Sequence, residues 1–205
     1  TGIGVGLVVN SQPVHGLMHP EGGHVCVPRL GADAGFGGSN PADCFGGLCA
    51  ENMACSVSLA KRAGLDGTAG LASLPDDHPV WEAAGHYLGA LCANLTLLVS
   101  PERIVLSGGV MQRASLFPRV RKAMQAHLNG YLQIPAVVDT VDQFVVPSAH
   151  GNKAGMVGAM TLALQAAQGA PRRLLPLGEQ AGWSVALLGA AAGVAVGLAL
   201  GRAMR

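Results

Sequence analysis

Residues 74–112 read LPDDHPVWEAAGHYLGALCANLTLLVSPERIVLSGGVMQ. Trp81, Ala84, Leu88, Leu91, Leu95 and Leu98 recur at steps of three and four, the period of one helix face, so a helix is expected from about 79 to 98. Pro79 suits its first turn, Asp76 or Asp77 its cap, and Pro101 stops it. RIVLS (103–107) is then a short buried strand, and Gly108 and Gly109 lead towards a second helix over about 115–128. A strand with glycines at its carboxyl end, followed by a helix, is an α/β unit of the kind that places nucleotide sites at that end. The pattern repeats once, with QFVVP (143–147) as strand, SAHGNKAG (148–155) as polar turn and 154–167 as helix.

Upstream, residues 2–17 alternate and break at Asn10-Ser11, which reads as a hairpin. TGIGVG (1–6) lacks the following helix that a dinucleotide fingerprint needs, so glycine-lined hairpin N–H groups are the better candidate for holding phosphate oxygens. HVCVP (24–28) is a further short strand, and residues 30–47 form a Gly/Asp/Pro-rich loop with no apolar period. Residues 48–62 suit a helix that Gly64 ends. Between two apolar runs lies HPEGGHV (19–25), whose two histidines and one carboxylate fit a ligand-binding corner, a metal ligand set or a polar turn.

Half of the 205 residues are hydrophobic, 12% are charged and 30 are glycine, a globular α/β composition rather than a disordered one. The formal charge of +1, with scattered Lys and Arg, argues against nucleic acid as a partner. Five cysteines, an odd number set in runs that look like element interiors, fit a reducing, cytoplasmic compartment. From Ala181 to Gly201 no residue is charged, and Gly189, Gly193, Gly197 and Gly201 make a small-residue stripe. That stretch reads as a transmembrane helix, a C-terminal anchor after a linker over 171–180, or alternatively as a soluble Ala/Gly-rich tail or packed terminal helix.

TGIGVGLVVN, GLMHPEGGHVCVPR, LPDDHPVWEAAGHYL, SPERIVLSGGVMQ, LNGYL and VPSAHGNKAGMVGAM together resemble the ROK-type sugar kinases, and among them the bacterial-type fructokinases. The resemblance runs in register from about residue 1 to 167 and assigns 1–170 to that region. It implies an actin-like, ribonuclease-H-like α/β fold, mainly its second lobe, with ATP, Mg²⁺ and a hexose, fructose first, in a cleft, and a homodimer as in many relatives. The turn matching Thr1, Gly2 and Gly4 would face the ATP phosphates. Gly108 and Gly109 would lie near the adenosine, and Gly151, Asn152 and Gly155 would close the nucleotide side. Glu21 and His24 match residues that hydrogen-bond sugar hydroxyls, where a carboxylate and an imidazole complement donors and acceptors.

The resemblance places the general base, an Asp, upstream of Thr1, so the chain as given is expected not to transfer phosphate by itself. It also implies a structural zinc held by the His of a GH pair and a short Cys/His run that ends in a Cys followed two residues later by Glu. His24 and Cys44 match the ends, while Ser39, Asn40, Pro41 and Ala42 fill the middle. Two ligands do not close a tetrahedral site, so zinc is expected to be lost or weak unless Cys26, Asp43 or Cys49 substitutes. On that register Gly46 stands where the family has a Glu that also touches sugar. The rival reading is a non-catalytic, membrane-tethered sugar-binding or scaffolding relative.

Overall fold

The computed structural model of the chain describes residues 2–167 and 194–199. Its fold is mixed α/β, as the alternating periods require. Strand β1 (Ile3–Val9) buries Ile3, Val5 and Val8. It turns through Asn10 and Ser11, both left-handed at φ 52° and 57°, as a two-residue hairpin demands. The return strand β2 is only Gln12–Pro13, shorter than the expected hairpin.

The expected strand over 24–28 shrinks to a single 3-10 turn, Gly22–His24, and one bridge between Cys26 and Cys49. The helix expected over 48–62 is broken into α1 (Ala50–Ala54) and α2 (Ser56–Arg62), with Cys55 extended between them. The cause is local, because the Asn52 carbonyl accepts from Ser39 N–H and the Ser58 hydroxyl. Gly64, at φ 68°, ends α2 as expected, and Leu65 N–H returns to Ala60 O at 2.9 Å.

Helix α3 (Val80–Val99) is buried on nearly every side and forms the centre of the core. Neither Asp76 nor Asp77 caps it. His78 Nδ1 accepts from Val80 N–H at 3.2 Å instead, while Asp76 pairs with Arg113. Leu98, expected on the core face, is 72% exposed in the last turn. Helix α4 (Leu116–Leu128) lies so close to α3 that a Cβ on Gly89 would come within 2.8 Å of Met124 N.

Between these helices runs β3 (Arg103–Gly108). After α4, short helices α5 (Pro135–Val138) and α6 (Val141–Phe144) precede β4 (Val145–Pro147), so the second expected strand starts two residues late. Helix α7 (Ala154–Ala167) follows the polar turn.

At residues 194–199 the structure departs from the expected membrane helix. Residues Val194–Ala199 form strand β5, parallel to β1 and antiparallel to β3, in a sheet ordered β2-β1-β5-β3-β4. A Val- and Gly-bearing hexapeptide satisfies its backbone groups in a sheet as readily as in a helix, and here two strands flank it. The rest of the stretch from 181 to 201 lies outside the described residues, and among the described residues no helix is long and apolar enough to cross a membrane.

The α3–α4 contact generates a stability test. Gly89→Val would push a branched side chain into Ala123 and the α4 backbone. It is expected to lower unfolding free energy by about 1–3 kcal/mol, read as a lower urea midpoint at unchanged slope.

Candidate functional site

The HPEGGHV stretch folds flat against β1. Gly22 and Gly23 are both required for this, since a Cβ on Gly23 would overlap the Ile3 carbonyl oxygen and one on Gly22 would stand 2.9 Å from Val5 Cβ. The turn projects His24 into a group of acids. His24 Nε2 is 3.6 Å from Glu51 Oε1 and 4.0 Å from Glu21 Oε2, and Nδ1 is 3.5 Å from Asp43 Oδ1. Glu21 also pairs with His19 at 2.7 Å. The structure thus brings Glu21 and His24 together and adds Glu51, which the sequence reading did not single out.

Glu51 is tied to the glycine-rich opening. Its Oε2 accepts from Ile3 N–H at 2.6 Å, and a Cβ on Gly2 would collide with the same carboxylate. Gly2 therefore has a steric reason to be glycine. Gly4 is exposed with open space where a side chain would be. Thr1 lies outside the described residues.

Cys49 rather than Cys44 sits beside His24. Its Sγ is 3.6 Å from His24 Nδ1, lies 3.5 Å from Asp43 Oδ2 as donor, and accepts from Asn52 N–H at 3.4 Å as the cap of α1. Cys44 is exposed and outside this group. Cys49-Ala50-Glu51 therefore carries the Cys followed two residues later by Glu, and the register that began at Cys44 and put Gly46 in the acid's place is five residues early. Gly46 is an exposed loop residue at φ 64°. The signal that could have found this was the Cys-x-Glu spacing itself.

Ligand atoms of His24, Asp43 and Cys49 all lie within 4.8 Å of one another. A nitrogen, a carboxylate oxygen and a sulfur converging at that range fit a zinc-type cation as three donors, without a fourth among them. Asp43 is held below the ordinary carboxylate range chiefly by the Cys44 backbone N–H, so it is ionised at neutral pH. Burial pushes the Cys49 thiol up to about 11, so without a cation it is protonated.

The loop that delivers Asp43 is pinned twice. Asn52, fully buried, donates to Gly37 O and Gly47 O at 3.0 and 2.6 Å and accepts from Ser39 Oγ and Asn40 N–H at 2.8 and 2.6 Å. Asp33, also buried, pairs with Arg62 and accepts from the Tyr87 hydroxyl at 2.7 Å. Arg62 stacks on Phe36 at 3.9 Å.

The remaining glycines gather at one end of the sheet. Ser107 Oγ donates to Gly151 O at 3.0 Å, and Ser148 N–H to Leu106 O at 3.0 Å, so the 148–155 turn is tied to the carboxyl end of β3. Gly108 (φ 103°) and Gly151 (φ 49°) are in conformations that favour glycine, Asn152 is exposed and Gly155 half-buried. In the sheet Ile3 is level with Val194 and Val194 with Gly108, so the start of β1 and the end of β3 share an edge, two strand spacings or about 10 Å apart. A cavity of about 570 Å³ opens beside Gly109, lined also by Trp81, Val110, Gln112 and Arg113. His86 and His127, rings 4.7 Å apart, lie outside the site.

The family model described as "ROK family" matches residues 1–166. A fructokinase of Pediococcus pentosaceus is 35% identical over 170 residues, covering 83% of this chain and 55% of the relative. A fructokinase of Lactococcus lactis subsp. cremoris is 31% identical over 164 residues, covering 80% and 53%, and a glucokinase of Halalkalibacterium halodurans is 29% identical over 192 residues, covering 80% and 54%. The chain spans about half the length of the curated relatives it matches.

Two measurements check this geometry. Arg62→Met strands the buried Asp33 charge and is expected to cost about 3–5 kcal/mol in urea unfolding. In native, metal-free protein, a thiol reagent at pH 8 is expected to label Cys26 and Cys44 quickly and Cys49 only after unfolding, because Cys49 is buried and its thiolate is scarce.

Proposed function

The chain belongs to the ROK family, and from that premise we propose that it supplies the sugar-binding corner and part of the nucleotide side of a fructokinase-like enzyme that phosphorylates a hexose with ATP. The observation that carries the reading is the cluster of Glu21, His24 and Glu51 against the start of β1. Two carboxylates and an imidazole offer acceptors and a donor to the hydroxyls of a neutral sugar, and all three are partly open to solvent. Glu51 stands in for the acid that the earlier register assigned to Gly46, so no polar sugar anchor is missing.

The nucleotide would lie along the shared sheet edge, its phosphates at Gly2 and Gly4 and its adenosine in the cavity beside Gly109, with the Gly151-Asn152 turn and Gly155 closing over it. In such a site Mg²⁺ arrives with the phosphates and neutralises charge that develops in transfer. The sheet and its helices would then be the second lobe of the actin-like fold. The fructokinase names of relatives support fructose as the first sugar to try.

The experiment is calorimetric titration of the 205-residue chain with D-fructose, with D-glucose and D-mannitol as comparisons. Glu51→Gln keeps an oxygen for Ile3 N–H but removes the charge facing sugar. It is expected to weaken fructose binding by about tenfold, in line with roughly 1–3 kcal/mol for a charge-assisted hydrogen bond. Equal affinity of variant and parent, or no saccharide heat from a folded parent, would overturn the assignment.

A further inference from the structure

Two unpaired hydroxyls line the cavity of about 570 Å³ beside Gly109. Ser56, the first residue of α2, is only 7% exposed, and Ser115 is the N-cap residue of α4. The Oγ of each is buried and has no hydrogen-bond partner among the described residues. Such hydroxyls are seldom left unpaired, because nothing then offsets their desolvation. Ser58, two residues beyond Ser56, shows the usual outcome, its hydroxyl donating to Asn52 O. The cavity wall around the two serines carries no spare charge. Arg113 pairs with Asp76, its Nη2 donates to Leu74 O at 2.8 Å and to Ala72 O at 3.3 Å, and its guanidinium lies 4.2 Å over the Trp81 ring. The nearby Ser115 hydroxyl and Arg113 hold the Asp76 carboxyl below its ordinary range, so the ion pair stays formed and compensates itself.

With Arg113 committed in this way, no cationic side chain in the lining is left over for a phosphate. Leu71, Trp81 and Val110 supply apolar surface, and the hydroxyls supply a few fixed polar points, a lining suited to a neutral, flat molecule with hydrogen-bonding edges. We infer that Ser56 and Ser115 are specificity-determining residues whose hydroxyls hydrogen-bond the nucleoside end of a purine nucleotide. The inference rests on the nucleotide reading given above and adds to it the side chains that grip the nucleoside. Each hydroxyl donates once and accepts at two lone pairs, so it can meet either kind of group on the ligand. Because both are unpaired in the free chain, removing one takes a contact from the complex and none from the free fold.

That split between binding and stability is what the experiment reads. The full 205-residue chain, Ser56→Ala and Ser115→Ala are titrated with a fluorescent ADP analogue in the presence of Mg²⁺, and adenosine is measured by competition. Each substitution is expected to raise Kd about three- to tenfold, the loss of one hydrogen bond, and by the same factor for adenosine as for ADP. The thermal midpoint of ligand-free Ser56→Ala is expected to stay at or above that of the parent. Unchanged Kd in both variants would overturn this inference and leave the nucleotide reading standing. A loss seen with ADP but not with adenosine would move the hydroxyls to the phosphates and overturn it as well. A lowered midpoint of free Ser56→Ala would show that its hydroxyl already has a partner within the chain, which removes the ground for a ligand contact. No ADP binding by a folded parent would overturn the nucleotide reading and this inference together, while fructose titration of the same samples reports on the sugar corner separately.

Discussion

The polar loop between Leu30 and Gly47 folds around the buried side chain of Asn52. This segment brings little apolar surface of its own, so hydrophobic burial cannot fix its path. The Asn52 amide makes four hydrogen bonds to it, its whole capacity as two donors and an acceptor with two lone pairs. Leaving such an amide unpaired in the interior would cost about 1–3 kcal/mol, so the loop is held to whatever path completes the set. Gly38 and Gly47, at φ 71° and 83°, let the backbone come against the amide where a side chain would collide. Asn52 also lies three residues after Cys49 and one after Glu51. The same helical turn thereby sets the loop that carries Asp43, the cap that presents a thiol and the carboxylate that faces β1.

The pair of Asp33 and Arg62 works on the other end of this loop. A buried ion pair is weak evidence for stability, because desolvation offsets most of the attraction. Its geometry is nonetheless demanding, with Asp33 also taking the Tyr87 hydroxyl from the central helix and Arg62 lying over Phe36. Burial and this hydrogen bond together hold the Tyr87 phenol up to about 12, so it stays a donor. The loop is thus connected to α2 and α3 by directional contacts that permit one arrangement, where an apolar patch would permit several.

These contacts explain what could be read in advance. Helices α3, α4 and α7 and strand β3 follow from apolar period and from Pro and Gly punctuation, and the structure places their ends within one or two residues of expectation. Asn52, Asp33 and Arg62 leave no periodic trace, since each is a single polar residue whose partner is set by folding. Glu51 was hidden by a related problem. In a loop without period, the distance from His24 to the matching Cys is free, and both Cys44 and Cys49 are available ends. Only the Glu two residues beyond Cys49, or the contact itself, chooses between them. At Val194–Ala199 strand replaces the expected helix for a different reason, because Val, Gly, Ala and Leu in a short run satisfy strand and helix alike until neighbouring strands are known.

His24 connects the two halves of the site through its two nitrogens. Nδ1 looks at Asp43 and Cys49, while Nε2 looks at Glu51 and Glu21. A neutral imidazole has one proton to donate, so it serves one side or the other. With the proton on Nδ1, the ring donates to Asp43 and offers only a lone pair towards two carboxylates, which repel it. With the proton on Nε2, the ring donates towards Glu51 and its Nδ1 lone pair needs an electrophile, for which the Cys49 S–H, already directed to Asp43, is a poor substitute. Whatever partner meets the Nδ1 lone pair therefore also decides which nitrogen His24 turns as a donor towards Glu51.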